Sequence, residues 1–184
     1  QAVRAAAREL LEQQDNNPFA LNALGQALIR FSGEQEQKEG LEALRKATEL
    51  APENLDYSLD LVSYTLTREK RELAGDDELQ LERHRERGYE LLQQLTEKFS
   101  KPGPKAAKIR WVYAQVLGGD GRNERAEQLF EEAVEMAGDD TDSRMKAKLE
   151  YARHLKQRWL REVAEGAPRD TNAPLFTRSR EILE

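Results

Sequence analysis

One apolar pattern with a small residue at a set place in it returns along this chain. Leu21, Leu24, Gly25 and Leu28 carry the offsets of a single helix face. The same pattern recurs as Leu59, Val62, Ser63 and Leu66, then as Arg110, Tyr113, Ala114 and Leu117, and again as Lys148, Tyr151, Ala152 and Leu155. The small residues at 25, 63, 114 and 152 lie 38, 51 and 38 apart. Glycine inside a helix costs roughly 0.5–1 kcal/mol relative to alanine, so small residues in this slot point to close helix packing rather than to local preference. A chain built this way repeats a helical unit.

Composition agrees. Ala, Glu, Lys, Leu and Arg supply 101 of 184 residues, or 55%, whereas Val and Ile together supply nine. That balance favours helices over strands, and the fold class is read as all-α. Leu, Ile, Val and Phe total only 39, so any core is thin or elongated. No cysteine is present, which removes disulfides, thiolate nucleophiles and Cys-ligated metals. No apolar run approaches the roughly 20 residues of a membrane span. The reading is of a soluble chain, the cytoplasm preferred and the compartment otherwise open. The first residue is Gln, inside the helical run Ala2 to Gln14, so the chain reads as a piece of a longer protein. A formal net charge of −6 opposes a generic nucleic-acid binder, which neutralises phosphates with clustered Lys and Arg.

Each of the first three patterns is followed by a second helix, also marked by a small residue. These are Gly40-Leu41 with Leu44, Ala47 and Leu50, then Gly88 with Leu92 and Leu95, then Ala126 with Phe130, Ala133 and Met136. Here the sequence resembles the tetratricopeptide repeat family, whose period is 34 residues and whose units are helix pairs. Its third unit carries the family spacing without insertion, in Tyr113-Ala114, Ala126, Phe130 and Ala133, with Gly118-Gly119-Asp120-Gly121 as the turn. The first unit closes with Pro52 after Leu50. The resemblance implies a right-handed superhelical α-solenoid of antiparallel helix pairs over residues 1–165. Its expected parts are 1–14, the second helix of a preceding unit; 18–51, unit one; 56–99, an enlarged unit two; 104–137, unit three; and 142–165, a capping helix. Residues 166–184 read as a linker and short terminal segment.

Unit two departs from the pattern between its paired helices. Residues 68–87 hold six basic and seven acidic side chains, and Gly75-Asp76-Asp77 is the turn signal, with Asp77 as an N-cap. The spacing predicts an elongated hairpin with helices near 57–74 and 77–99. Mixed charge of this density reads as a solvated helix face; the other reading is a contact arm using Leu73, Leu79 and Leu81.

Enzyme chemistry finds no foothold. His84 and His154 sit in separate charged helices without a partner ligand at helical spacing, and both read as exposed imidazoles. Gly118-Gly119-Asp120-Gly121 lacks the Gly-Lys-Ser/Thr ending of a phosphate loop and follows a helix rather than a strand. No catalytic residue, cofactor site or metal site is assigned.

In tetratricopeptide proteins the first helices of successive units line a concave groove, so the resemblance implies a second stripe on those helices. It runs through Phe19, Asn22, Gln26 and Arg30, then Tyr57, Asp60, Tyr64 and Arg68. It continues through Lys108, Trp111 and Gln115, and through Lys146, Leu149, Arg153 and Gln157. Tyr and Trp offer stiff contact area, and the Arg and Lys residues suit acidic side chains or a carboxylate. The competing reading is that the aromatics pack between neighbouring helices. Chaperone-binding members of the family hold terminal carboxylates with a Lys and Asn pair where this chain has Asn22 and Gln26, and that role is not carried over. The expected function is a non-catalytic scaffold binding a protein or peptide segment, with an acidic segment as the candidate partner. The alternatives are self-association through a solenoid end or the long hairpin and, further off, nucleic-acid binding. Leu175, Phe176 and Ile182 are placed to fold back, either into the groove or over its end.

Overall fold

Asn17 and Pro18 show how these helices begin. The Asn17 side-chain oxygen accepts the Ala20 N–H at 3.0 Å, and Pro18 takes the first helical position, where its missing donor leaves nothing unpaired. The computed structural model describes residues 2–31, 33–72, 78–170 and 173–183. Among these all regular structure is helical: α1 (Ala2–Gln13), α2 (Pro18–Phe31), α3 (Glu34–Leu50), α4 (Leu55–Glu72), α5 (Glu78–Lys98), α6 (Pro104–Gly119), α7 (Asn123–Met136), α8 (Thr141–Ala164) and α9 (Pro174–Glu181). The chain divides within α5 into two compact units, Gln1–Leu91 and Leu92–Glu184.

In the first unit α2 packs on α1 and α3, and α3 on α4. The small residues act as the sequence pattern requires. A Cβ on Gly25 would lie 2.8 Å from the Gly40 carbonyl oxygen, and one on Gly40 would lie 3.0 Å from the Gly25 carbonyl, so the two backbones touch through both glycines. Leu24 and Leu28 close over Ala7 and Leu11 on one side, while Leu21 meets Ala43, Ala47 and Tyr57 on the other. Helices α4 and α5 have 18 and 21 residues, longer than the 14 and 17 of α2 and α3. The Gly75-Asp76-Asp77 turn and Leu73 lie outside the described residues, as do the side chains of Leu79 and Leu81.

In the second unit α6 pairs with α7, and α8 packs on both. Gly121, with φ of +79°, turns the chain between α6 and α7. Asp140 caps α8, its carboxylate accepting the Ser143 N–H at 2.7 Å; the Ser143 hydroxyl first, and this N–H after it, hold its pKa below the ordinary carboxylate value. Phe130 is fully buried and stacks on Tyr151 with ring centres 5.3 Å apart. Burying such a ring is worth about 1.5–3 kcal/mol. The terminal segment folds back as α9, where Phe176 meets Trp159 with ring centres 4.9 Å apart. Arg178 reaches Glu127 at 2.9 Å and Glu131 at 2.5 Å, both on α7. The segment thus covers α8 on the side shared with α7.

Candidate functional site

The groove stripe meets different fates in the two units. In the first, Phe19 is 66% exposed and Arg30 is also exposed. Asn22 is buried, and its amide donates to Asp60 Oδ2 at 2.9 Å, while Gln26 donates to the same oxygen at 2.6 Å. These three residues tie α2 to α4. Tyr57 is half-buried against the core. Tyr64, expected as a groove contact, is only 6% exposed, with its hydroxyl 3.5 Å from the Gln37 carbonyl. Its ring packs within the helix layer, the competing reading offered above. The Arg68 side chain lies outside the described residues.

In the second unit the stripe converges. Glu150 is 4% exposed, and three stripe residues hold its carboxylate: Gln115 at 2.8 Å, Arg153 at 2.8 and 2.9 Å, and Lys146 at 3.2 Å. Lys108 and Trp111 lie half-buried on α6. Beside Glu150 opens a cavity of about 560 Å³, lined by Gln115, Gly118 and Gly119 of α6 and by Arg153, His154, Gln157, Leu160 and Arg161 of α8. Arg161 contacts the Gly118 carbonyl at 3.5 Å and meets no carboxylate among the described residues.

His154 corrects the sequence reading. It was expected on an exposed face, yet it is 7% exposed, tilted against Phe130 with ring centres 5.3 Å apart. The space comes from Gly118, where a Cβ would stand 2.5 Å from the imidazole Cε1. Burial pushes the His154 pKa below its ordinary value; Glu127 opposes the shift, and Arg161 and Arg158 add to it. Among the described residues the buried imidazole Nε2 meets no hydrogen-bond partner. His84 has its side chain outside the described residues. Among the described residues no three His, Cys, Asp or Glu side chains gather as a metal site.

Glu150, His154, Leu160 and Arg161 were missed from sequence. Glu150 had a usable signal, since Lys146 and Arg153 stand four residues before and three after it, the spacings at which helix side chains meet. Arg161 had none, because its place in the cavity depends on the glycines of another helix.

This arrangement of helix pairs resembles that of MamA, a protein containing tetratricopeptide repeats. Its crystal structure matches 97% of this chain and 85% of the MamA chain, with a TM-score of 0.52 at 16% identity. The fold is of the tetratricopeptide type. At that identity the likeness bears on the fold alone. No protein-family model matches the chain, and no curated protein matches it either. No described helix of this tetratricopeptide-type chain is long and apolar enough to cross a membrane.

Proposed function

We propose that the chain is a non-catalytic scaffold that binds a protein or peptide segment, with the cavity of the second unit as its principal seat. One observation carries this reading: Arg161, without a carboxylate partner among the described residues, lines an open cavity beside the exposed Leu160. A guanidinium next to apolar surface suits an acidic side chain flanked by an apolar one. The tetratricopeptide-type fold supports a protein partner over a small substrate. In the first unit the exposed Phe19 and Arg30 remain candidate contacts, while Asn22, Gln26 and Asp60 serve each other.

The test is affinity capture from native lysate with the wild type and with Arg161→Glu combined with Leu160→Ala. Loss of a reproducible set of bound proteins from the double variant is expected. Equal recovery by both proteins counts against the cavity. Self-association is a second reading, favoured by Met145, Leu149 and Leu160, three exposed apolar residues on α8. Light scattering that returns a monomer mass at every concentration removes it.

A further inference from the structure

Gln115, Lys146 and Arg153 would make an anion clamp, but in this chain the clamp is already filled. The Glu150 carboxylate accepts two hydrogen bonds from Arg153 and one from Gln115, and it forms an ion pair with Lys146 at 3.2 Å. It lies on the wall of the same cavity that Arg161 and Gln157 line. We propose that Glu150 sets the charge selectivity of this cavity. It occupies the clamp of Gln115, Lys146 and Arg153 as a built-in carboxylate and leaves Arg161 and Gln157 to take a single carboxylate from the bound segment. The favoured occupant is thus an acidic segment that offers one carboxylate here, with an apolar neighbour against Leu160. A segment placing two adjacent carboxylates in the cavity meets Glu150 as a third negative charge, and like charges held close together repel.

The physical case rests on burial and partner number. The Glu150 carboxylate is itself buried and meets Gln115, Arg153 and Lys146 within 2.8–3.2 Å, charge-assisted contacts that solvent screens in part because the Lys146 and Arg153 side chains are 51% and 53% exposed. An incoming carboxylate has to break several of them to enter the clamp. Among the described residues Arg161 meets a carbonyl at 3.5 Å and no carboxylate, and an ionised ligand readily outcompetes that contact. The proposal rests on the cavity being the binding seat, and its test separates the two ideas.

Acetate is the probe, followed by nuclear magnetic resonance of the Arg Nε–H and Gln side-chain amide groups. In the wild type, acetate is expected to move the Arg161 and Gln157 signals and to leave those of Arg153 and Gln115 in place. In Glu150→Gln, which keeps the shape and removes the charge, acetate is expected to move Arg153 and Gln115 as well. Its affinity there should tighten on the order of tenfold, the return from one charge-assisted contact. Glu150→Asp retains the charge and should keep the wild-type pattern. Movement of Arg153 and Gln115 in the wild type to the same extent as Arg161 overturns the proposal, and this arm needs no variant to fold. Unmoved Arg153 and Gln115 in a folded Glu150→Gln protein overturn it equally. If acetate moves these two only in Glu150→Gln and never moves Arg161, the Glu150 assignment stands and Arg161 is not the partner's anchor.

Discussion

Gly118 has no side chain, and the room this leaves is taken by the imidazole of His154. A Cβ there would lie 2.5 and 2.6 Å from two ring atoms, and the ring is buried against Phe130. Gly118→Ala is therefore expected to destabilise the second unit by about 1–3 kcal/mol, the usual range for overpacking, as read by urea titration. Gly119→Ala is the control: nothing lies within 4 Å of its Cβ position, so it should be neutral or slightly stabilising. The buried imidazole also predicts a pH dependence. Its folded pKa is lowered from 6.5, so below about pH 6.5 the unfolded chain binds a proton that the native state resists. Stability from this group is present above pH 6.5 and declines as the pH falls. The drop in Tm between pH 7.5 and 5.5 should be larger for the wild type than for His154→Gln. At this scale the sequence was half legible. Helical spacing identified which face Gln115, Lys146 and Arg153 occupy, but not the buried carboxylate that unites them. The same spacing placed Tyr64 on the stripe, though its burial depends on neighbouring helices that no local pattern specifies.

Among the elements, α9 illustrates the limits of local signal. Pro174 and the run to Glu181 were readable as a short helix, yet eight residues are too few to hold helical structure alone. Docking on α8 supplies what propensity does not. Phe176 against Trp159 is the apolar part of that docking. Phe176→Ala should shift Trp159 fluorescence to longer wavelength and destabilise the second unit by roughly 1–3 kcal/mol, less than the 3–5 of a fully buried Phe because Phe176 is only half-buried. An unchanged emission maximum would show that α9 does not shield the indole. Arg178 is the electrostatic part, and at 45% side-chain exposure its ion pairs with Glu127 and Glu131 are screened by solvent. Arg178→Gln is accordingly expected to lose less than about 1 kcal/mol, with the difference shrinking as salt is added. The helix pairs themselves were more legible, because Gly25, Gly40, Ala114 and Ala126 mark approaches that larger residues forbid.

Within each unit helices pack on near neighbours, α2 on α1 and α3 and α3 on α4 in the first, α6 on α7 and α8 on α7 and α9 in the second, and stability in such arrays is a sum of local terms. The division into two units falls between Leu91 and Leu92, inside α5, where the repeat pattern carries no mark, so it was not legible in the sequence. It depends on how many neighbours each helix finds, which periodicity does not report. Both tryptophans, Trp111 and Trp159, belong to the second unit, so fluorescence follows that unit while far-UV circular dichroism follows all the helices. A lesion in the first unit should separate the two signals. Gly25→Ala suits the purpose, because its Cβ would stand 2.8 Å from the Gly40 carbonyl oxygen, a backbone atom that cannot swing aside. The circular dichroism midpoint in urea is expected to fall while the fluorescence midpoint moves less. Gly118→Ala, in the second unit, should instead lower the fluorescence midpoint directly. Equal shifts of both midpoints in Gly25→Ala would mean that the units unfold as one cooperative body, with α5 transmitting the loss of either to the other.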